Sequence, residues 1–109
     1  MHKTGAQLVR YALEQLGIKH TFGVLGAHNR EIDNELHNSS DITAHLVNQE
    51  ISTAFMADAL SRTSTDGEIG TMLITADAII SQGIAEAFIS GIPLLIIAGG
   101  QLQACKLTA

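Results

Sequence analysis

The amino-acid sequence predicts an α/β domain of three layers, in which a parallel sheet carries helices on both faces, as in Rossmann-like folds. Segments with helical periodicity alternate with short apolar segments along the 109 residues. The later apolar segments are hydrophobic at nearly every position, which is typical of parallel strands buried on both sides. The element order is therefore α-β-α-β-α-β-α-β, with right-handed crossovers.

Each element has a local signal in the sequence. Thr4 is placed to cap the first helix, Gly17 to end it, and Asn48 to cap the third helix. The predicted helices cover residues 5–16, 29–36, 49–62 and 78–88. The predicted strands cover residues 20–24, 42–47, 69–75 and 93–98, and residues 37–41 form a turn.

Side-chain periodicity also predicts which helix faces point inward. In the first helix this apolar face comprises Leu8, Val9, Ala12, Leu13 and Leu16. In the third helix it comprises Ile51, Ala54, Phe55, Ala57 and Leu60, and its alanines imply close packing against the sheet. We expect the strand at 93–98 to be fully buried.

Composition narrows the classes of function. Hydrophobic residues make up 46% of the chain, enough for a core, and the net charge of −5 disfavours nucleic acid and anionic membrane surfaces as partners. The single Cys105 cannot form an internal disulfide, and the first residues lack the apolar core of a signal peptide. Polar residues and Pro93 interrupt the apolar stretch from Thr71 to Gly100, so we expect no membrane span and a cytoplasmic protein.

Candidate functional residues lie in the loops that follow the strands, because ligands of open parallel sheets bind at the carboxyl ends of the strands. Three loops qualify, at residues 25–28, 48–50 and 75–78. Glu50 opens a helix in the second loop. On spacing alone it does no more than complement the helix dipole, as acidic residues in first turns commonly do. The five histidines have no zinc-like spacing, so we expect no metal site on this chain.

Three motifs taken together change that interpretation. They are Phe22-Gly23-Val24-Leu25-Gly26, then Asn48-Gln49-Glu50 before the Ala-rich helix that ends in Ala57-Asp58-Ala59-Leu60-Ser61-Arg62, and finally Gly83 to Gly100 with its Gly91-Ile92-Pro93-Leu94-Leu95 segment. From Thr4 to Gly100 the chain resembles the N-terminal pyrimidine-binding domain of thiamine-diphosphate-dependent enzymes of the acetolactate synthase, benzoylformate decarboxylase and pyruvate oxidase family.

The resemblance implies a cofactor and a set of site residues. Glu50 matches the family's catalytic glutamate, which hydrogen-bonds N1′ of the aminopyrimidine of thiamine diphosphate, and a carboxyl group whose pKa is raised by burial suits that proton exchange. Leu25 and Gly26 match a loop whose backbone packs against the pyrimidine. The remaining implied site residues are Ala76, on the cofactor side, and Ala27 and His28, on the substrate side. Mg²⁺ would be bound through the diphosphate by a partner domain.

The sequence also departs from the family pattern. Residues 75–83 lack the family's Gly-Pro-Gly cluster and the asparagine that follows it, and Gln49 replaces a histidine common before the glutamate. The chain has no diphosphate-binding Gly-Asp-Gly motif, and it stops before the usual end of such a domain. We therefore expect a truncated pyrimidine-binding domain at residues 1–100 and a tail at 101–109.

Three functions remain open at this stage. The first is half of a 2-keto acid decarboxylase or carboligase that assembles as a homo-oligomer or with a diphosphate-binding chain. The second is a degenerate, non-catalytic association module of the same fold. The third, a flavodoxin-like or receiver-like binding domain, leaves the glutamate-helix signature unexplained.

Overall fold

The computed structural model describes residues 3–24, 26, 29–75 and 82–99, and of Glu50, Thr75 and Gln82 it describes the main chain. Four helices alternate with four strands in the predicted order. The helices are α1 (Gly5–Gln15), α2 (Arg30–Asn38), α3 (Glu50–Thr63) and α4 (Gln82–Ser90). The strands are β1 (His20–Gly23), β2 (Thr43–Leu46), β3 (Gly70–Thr75) and β4 (Leu94–Gly99).

The strands form one sheet in the order β2-β1-β3-β4, and every pairing is parallel. Strand β1 pairs with β2 from His20 opposite Thr43, and with β3 from Thr21 opposite Thr71. The predicted fold class and the four strands are thus confirmed.

Two apolar clusters, one on each face of the sheet, confirm the three-layer arrangement. One cluster joins α1 and α2 to the sheet and comprises Leu13, Ile18, Leu36, Ile42 and Leu73. The other joins α3 and α4 to the opposite face and comprises Ala54, Ala57, Met72 and Ile74. Successive residues of β3 alternate between the clusters because side chains of a strand point to opposite faces in turn.

Small residues let α3 lie close to its neighbours, as its alanines predict. Ala54 and Ala57 are fully buried. A Cβ on Gly70 of β3 would lie 1.8 Å from the carbonyl oxygen of Ala57, and one on Gly83 of α4 would lie 2.4 Å from the Cβ of Ala54. These two glycines are therefore required by close backbone approach.

The predicted inward faces of two helices are partly wrong. In α1, Leu8 is 55% exposed and Leu16 is 68% exposed. In α3, Ile51 and Phe55 are exposed, whereas Thr53 and Asp58 lie on the buried side. Polar groups can be buried there because they have partners.

Those partners lie within α3 or at its N-cap. The Thr53 hydroxyl donates to the carbonyl oxygen of Gln49, and Arg62 donates to the Asp58 carboxylate. The latter bond joins residues four apart on the helix, a spacing at which opposite charges commonly pair.

The ends of the helices follow the local signals only in part. Thr4 caps α1 in a capping box with Gln7, and Gly17 follows α1 at φ +78°, as predicted. At α3 the cap residue is Gln49, without a side-chain bond, so the predicted Asn48 cap is wrong. Helix α2 extends through Asn38, two residues into the predicted turn.

One further prediction is wrong, and another falls outside the described residues. Strand β4 is half-buried rather than fully buried, because within the described residues it pairs on one side only, with β3. Helix α4 is described from Gln82, so its predicted start at residues 78–81 lies outside the described residues. Among the helices that are described, none is long and apolar enough to cross a membrane.

Candidate functional site

The sheet reverses its direction of growth beside β1. From β1 the chain adds β2 on one side, then crosses back to add β3 on the other side of β1. Loops that leave adjacent strands in opposite directions open a crevice at the carboxyl ends of those strands, where ligands of open α/β sheets bind. The candidate site is therefore centred on the ends of β1 and β3 and on the start of α3.

Asn29 shapes the loop after β1 and is only 1% exposed. Its side-chain oxygen accepts a hydrogen bond from the Gly26 N–H at 2.9 Å, and its side-chain nitrogen donates to the Val24 carbonyl at 3.0 Å. Its own N–H donates to the Gly26 carbonyl at 3.4 Å. This loop is closed by one buried amide.

Glu50 is the first residue of α3. The segment before it is held to the sheet, because the Val47 N–H donates to the Gly23 carbonyl at 2.7 Å, directly at the end of β1. Helix α3 therefore begins near the carboxyl ends of β1 and β2, with a carboxyl-bearing residue in its first position. The unpaired N–H groups of a helix start favour a negative charge there.

A pocket of about 580 Å³ opens beside the start of α3. Its volume lies within the usual range of ligand pockets. Phe22 and His45 of the sheet stack on each other at 5.1 Å between ring centroids, and Met56 of α3 also lines the pocket. The other lining residues, mostly at the turn into α3, are Leu46, Val47, Asn48, Gln49 and Ser52.

His20 and His45 lie next to each other on the sheet, a relationship that sequence spacing does not reveal. Their ring nitrogens Nδ1 and Nε2 are 3.2 Å apart, within hydrogen-bonding distance. Across the described ranges, three or more His, Cys, Asp or Glu residues nowhere come together as metal ligands would.

The opposite, amino-terminal end of the sheet is closed by a charged network. Glu68 accepts hydrogen bonds from the N–H groups of Lys19 and His20, and the Lys19 ammonium lies 3.0 Å from Asp66. The Ser64 hydroxyl, Lys19 and the Glu68 N–H all stabilise the Asp66 carboxylate, which lowers the pKa of Asp66 to about 2. This network lies away from the carboxyl ends and organises the fold.

The predicted site residues divide into two groups. Glu50 and Gly26 are brought to the carboxyl end of the sheet, Glu50 as the start of α3 and Gly26 as the residue bonded to Asn29. Four predicted site residues, Leu25, Ala27, His28 and Ala76, lie outside the described residues.

Two features of the site were not predicted from sequence. The two side-chain hydrogen bonds of Asn29 had only a weak signal in the sequence, an asparagine shortly after a strand and before a helix. The stacking of Phe22 and His45 had none, because it depends on the register of two strands.

The residues present fit the pyrimidine end of thiamine diphosphate. Glu50 is the first residue of α3, near the loop after β1, and the buried side chain of Asn29 hydrogen-bonds the backbone of that loop. A partly apolar pocket lies beside the start of α3. These groups suit a flat heterocycle with ring nitrogens. The described residues offer no matching cluster of acidic ligands for a metal-bound diphosphate.

Comparison with known proteins agrees with this geometry. Residues 3–104 match the family model described as "Thiamine pyrophosphate enzyme, N-terminal TPP binding domain". The chain is 34% identical over 99 residues to the acetolactate synthase isozyme 3 large subunit of Escherichia coli (strain K12), a match that covers 88% of this chain and 17% of the relative. It is 31% identical over 100 residues to acetolactate synthase 2, chloroplastic, of Zea mays, covering 89% of this chain and 15% of the relative.

These matches cover nearly the whole chain but about a sixth of the length of each relative. The family match is consistent with the observed four-stranded parallel sheet and its helices. The chain belongs to the family of N-terminal thiamine-pyrophosphate-binding domains of thiamine pyrophosphate enzymes.

Proposed function

We propose that this chain is the pyrimidine-binding half of a thiamine-diphosphate-dependent 2-keto acid decarboxylase or carboligase of the acetolactate synthase type. It works with a diphosphate-binding domain that holds the diphosphate and its Mg²⁺. The observation that carries the proposal is the position of Glu50, the first residue of α3, at the carboxyl ends of the strands. The similarity to acetolactate synthase large subunits supports the reaction class.

Glu50 has one task in this proposal, to exchange a proton with N1′ of the pyrimidine. When bound, the cofactor supplies an electron sink for decarboxylation of a 2-keto acid. A carboxyl group can both hold and release a proton at a ring nitrogen, which makes it suitable as a general acid–base group. The main chain of Glu50 begins α3, at the carboxyl ends of β1 and β2.

The loops supply binding surfaces rather than acid–base groups. We assign Leu25, Gly26 and Ala76 to the cofactor side, with the backbone of Gly26 meeting the pyrimidine, and Ala27 and His28 to the substrate side. At position 27 alanine is smaller than the polar, substrate-handling side chain that some members of the family carry.

The proposed partner is a diphosphate-binding domain, on a second chain or on a second copy of a longer one. One observation supports a partner: the outer side of α4 exposes Phe88 at 85% and Ile89 at 79%. Apolar side chains exposed to this degree on one helix are typical of surfaces that a neighbouring domain covers.

A second candidate function is a non-catalytic association module of the same fold. One observation favours it: residues 75–83 carry Ile79 and Ile80 where the family has a glycine-rich cluster. Isoleucine side chains are bulkier than glycine and would obstruct cofactor binding. The exposed apolar residues of α4 serve either function. Only the first requires the carboxyl group of Glu50.

Reconstitution distinguishes the two functions. The chain is mixed with a diphosphate-binding chain, thiamine diphosphate and Mg²⁺, and exchange of the cofactor's C2 proton for deuterium is followed by NMR. We expect exchange to accelerate only when both chains are present. A complex that forms and binds cofactor but leaves the exchange rate at that of free cofactor would establish the association module instead.

A further inference from the structure

The side chain of Asn29 does not cap α2, the helix that Asn29 precedes. Asparagine before a helix ordinarily accepts a hydrogen bond from an N–H of the first turn. Asn29 is the cap residue of α2, yet its side chain makes no cap bond. Both polar groups of the amide instead face backward, to Gly26 and Val24.

The two hydrogen bonds have opposite polarity, which defines the residue type. The Gly26 N–H needs an acceptor and the Val24 carbonyl needs a donor, and a primary amide offers both within one rigid plane. Because Asn29 is 99% buried, water does not replace either partner. A carboxylate satisfies only the Gly26 N–H, and an apolar side chain satisfies neither group.

The consequence is a fixed backbone at the end of β1. Val24 and Gly26 flank the position where the chain leaves the sheet, and both are hydrogen-bonded to the side chain of Asn29. The main-chain carbonyl of Asn29 accepts a hydrogen bond from the N–H of Asp33 in α2 at 3.0 Å. Because Asn29 bonds both the loop and α2, the loop is held by the helix as well as by the strand.

We propose that Asn29 is the positioning residue of the pyrimidine site: it holds the backbone of Gly26 in the orientation that meets the pyrimidine ring. This rests on the proposed function, since it assigns Asn29 to the same site. Asn29 touches no reacting atom and acts through Gly26. Its contribution is a loop formed before the ligand arrives, which lowers the entropic cost of binding.

The first experiment needs no ligand. Amide hydrogen exchange is measured by NMR on the full chain, for the wild type, Asn29→Ala, Asn29→Asp and Asn34→Ala. Asn34 is exposed on the same helix and is the matched control. We expect Gly26 exchange to rise at least about tenfold in Asn29→Ala, the loss expected for one hydrogen bond. Met72 and Leu73 in the sheet should keep their protection, which a general loss of stability would not allow.

Asn29→Asp is the conservative variant. Its carboxylate still accepts from the Gly26 N–H but cannot donate to the Val24 carbonyl, so we expect Gly26 protection to stay within about threefold of wild type while the Val24 carbonyl carbon shifts. If Asn29→Ala does not fold, Asn29→Asp decides alone. An unmoved Val24 carbonyl signal, or unchanged Gly26 exchange in folded Asn29→Ala, would overturn the proposal.

The second experiment separates the positioning role from the proposed function. The probe is 4-amino-5-hydroxymethyl-2-methylpyrimidine, at millimolar concentration, added to the wild type and to Asn29→Asp. We expect the wild-type amide signals of both Gly26 and Glu50 to shift, and the Gly26 shift to fall at least about threefold in Asn29→Asp.

The outcomes are distinct. A probe that shifts Glu50 but not Gly26 would overturn the role of Asn29 and leave the proposed function standing. A probe that shifts neither signal would overturn the positioning role, whereas the proposed function is decided separately, by C2-proton exchange in the reconstituted complex.

Discussion

Gly70 of β3 and Ala57 of α3 lie so close together that a methyl group on Gly70 would stand 1.8 Å from the carbonyl oxygen of Ala57. Helix α3, which begins at Glu50, therefore packs directly on the central strands, with its backbone in close contact with theirs. Any side chain at position 70 must push α3 away from the sheet. The packing of α3 against β3 therefore determines where the main chain of Glu50, the candidate catalytic residue, lies.

Gly70→Ala should destabilise the chain strongly. The clash is with backbone, which cannot rotate away, so we expect a loss of about 3 kcal/mol or more in the free energy of unfolding, measured in urea. Gly5→Ala is the matched control, because a Cβ there meets nothing within 4 Å, and alanine suits the first turn of α1. A Gly70→Ala chain as stable as the control would contradict the close approach.

Glu50→Gln should remove activity from a reconstituted complex without unfolding the chain. The amide is nearly the same size, but it cannot exchange a proton with N1′, and loss of such a group typically costs about 10²–10⁴-fold in rate. Exchange of the cofactor's C2 proton measures this step, and thermal melting of the same variant is the control. As a helix-dipole residue alone, Glu50 would change stability by less than about 1 kcal/mol and leave exchange untouched.

The chain without a partner should bind thiamine diphosphate weakly or not at all. The diphosphate and its Mg²⁺ carry much of the cofactor's charge, and the described residues form no ligand cluster for them. Calorimetric titration of the isolated chain should give a Kd weaker than about 100 μM, or no heat. Micromolar affinity in the absence of a partner would be incompatible with a half-site.

The outer side of α4 should mediate self-association or partner binding. Because Phe88 and Ile89 are exposed, Phe88→Asp should lower association while leaving the melting temperature near that of the wild type. Sedimentation of the wild type should reveal a dimer or larger assembly at high concentration. Leu8→Asp, also at an exposed position but on α1 in the other layer, should associate as the wild type does; equal sedimentation of all three proteins as monomers would refute the prediction.

Asp66 should contribute to stability in a defined range of pH. Its pKa is lowered in the folded chain to about 2 from 3.8, first by the Ser64 hydroxyl and then by Lys19. A lowered folded-state pKa means that the contribution is complete above pH 3.8 and is lost as the pH falls toward 2. Carbon-detected NMR titration of the Asp66 carboxyl should give this value, and Ser64→Ala should raise it. Titration of wild-type Asp66 near 3.8 would show that the network does not form.

Local sequence signals predicted the element order and the fold class. The alternation of periodic and apolar segments required helices and parallel strands, and Thr4 and Gly17 marked the ends of α1 because caps and stops depend on residues a few positions apart. The position of Glu50 at the start of α3 was predictable on the same grounds. The order β2-β1-β3-β4 was not, because it depends on pairings between distant segments.

The tertiary structure alone decided how the site is built. The side chain of Asn29 hydrogen-bonds the first loop only because of the direction in which that loop runs. Phe22 stacks on His45 only because the strand register places the two residues side by side. It also decided which side of α3 is inside: periodicity favoured Ile51 and Phe55, but close approach to the sheet selects small side chains and polar ones that have partners. The sequence by itself determined the elements and the chemistry available at their ends, since those are local properties. Register, depth of packing and buried hydrogen-bond partners are long-range properties, and only the folded chain sets them.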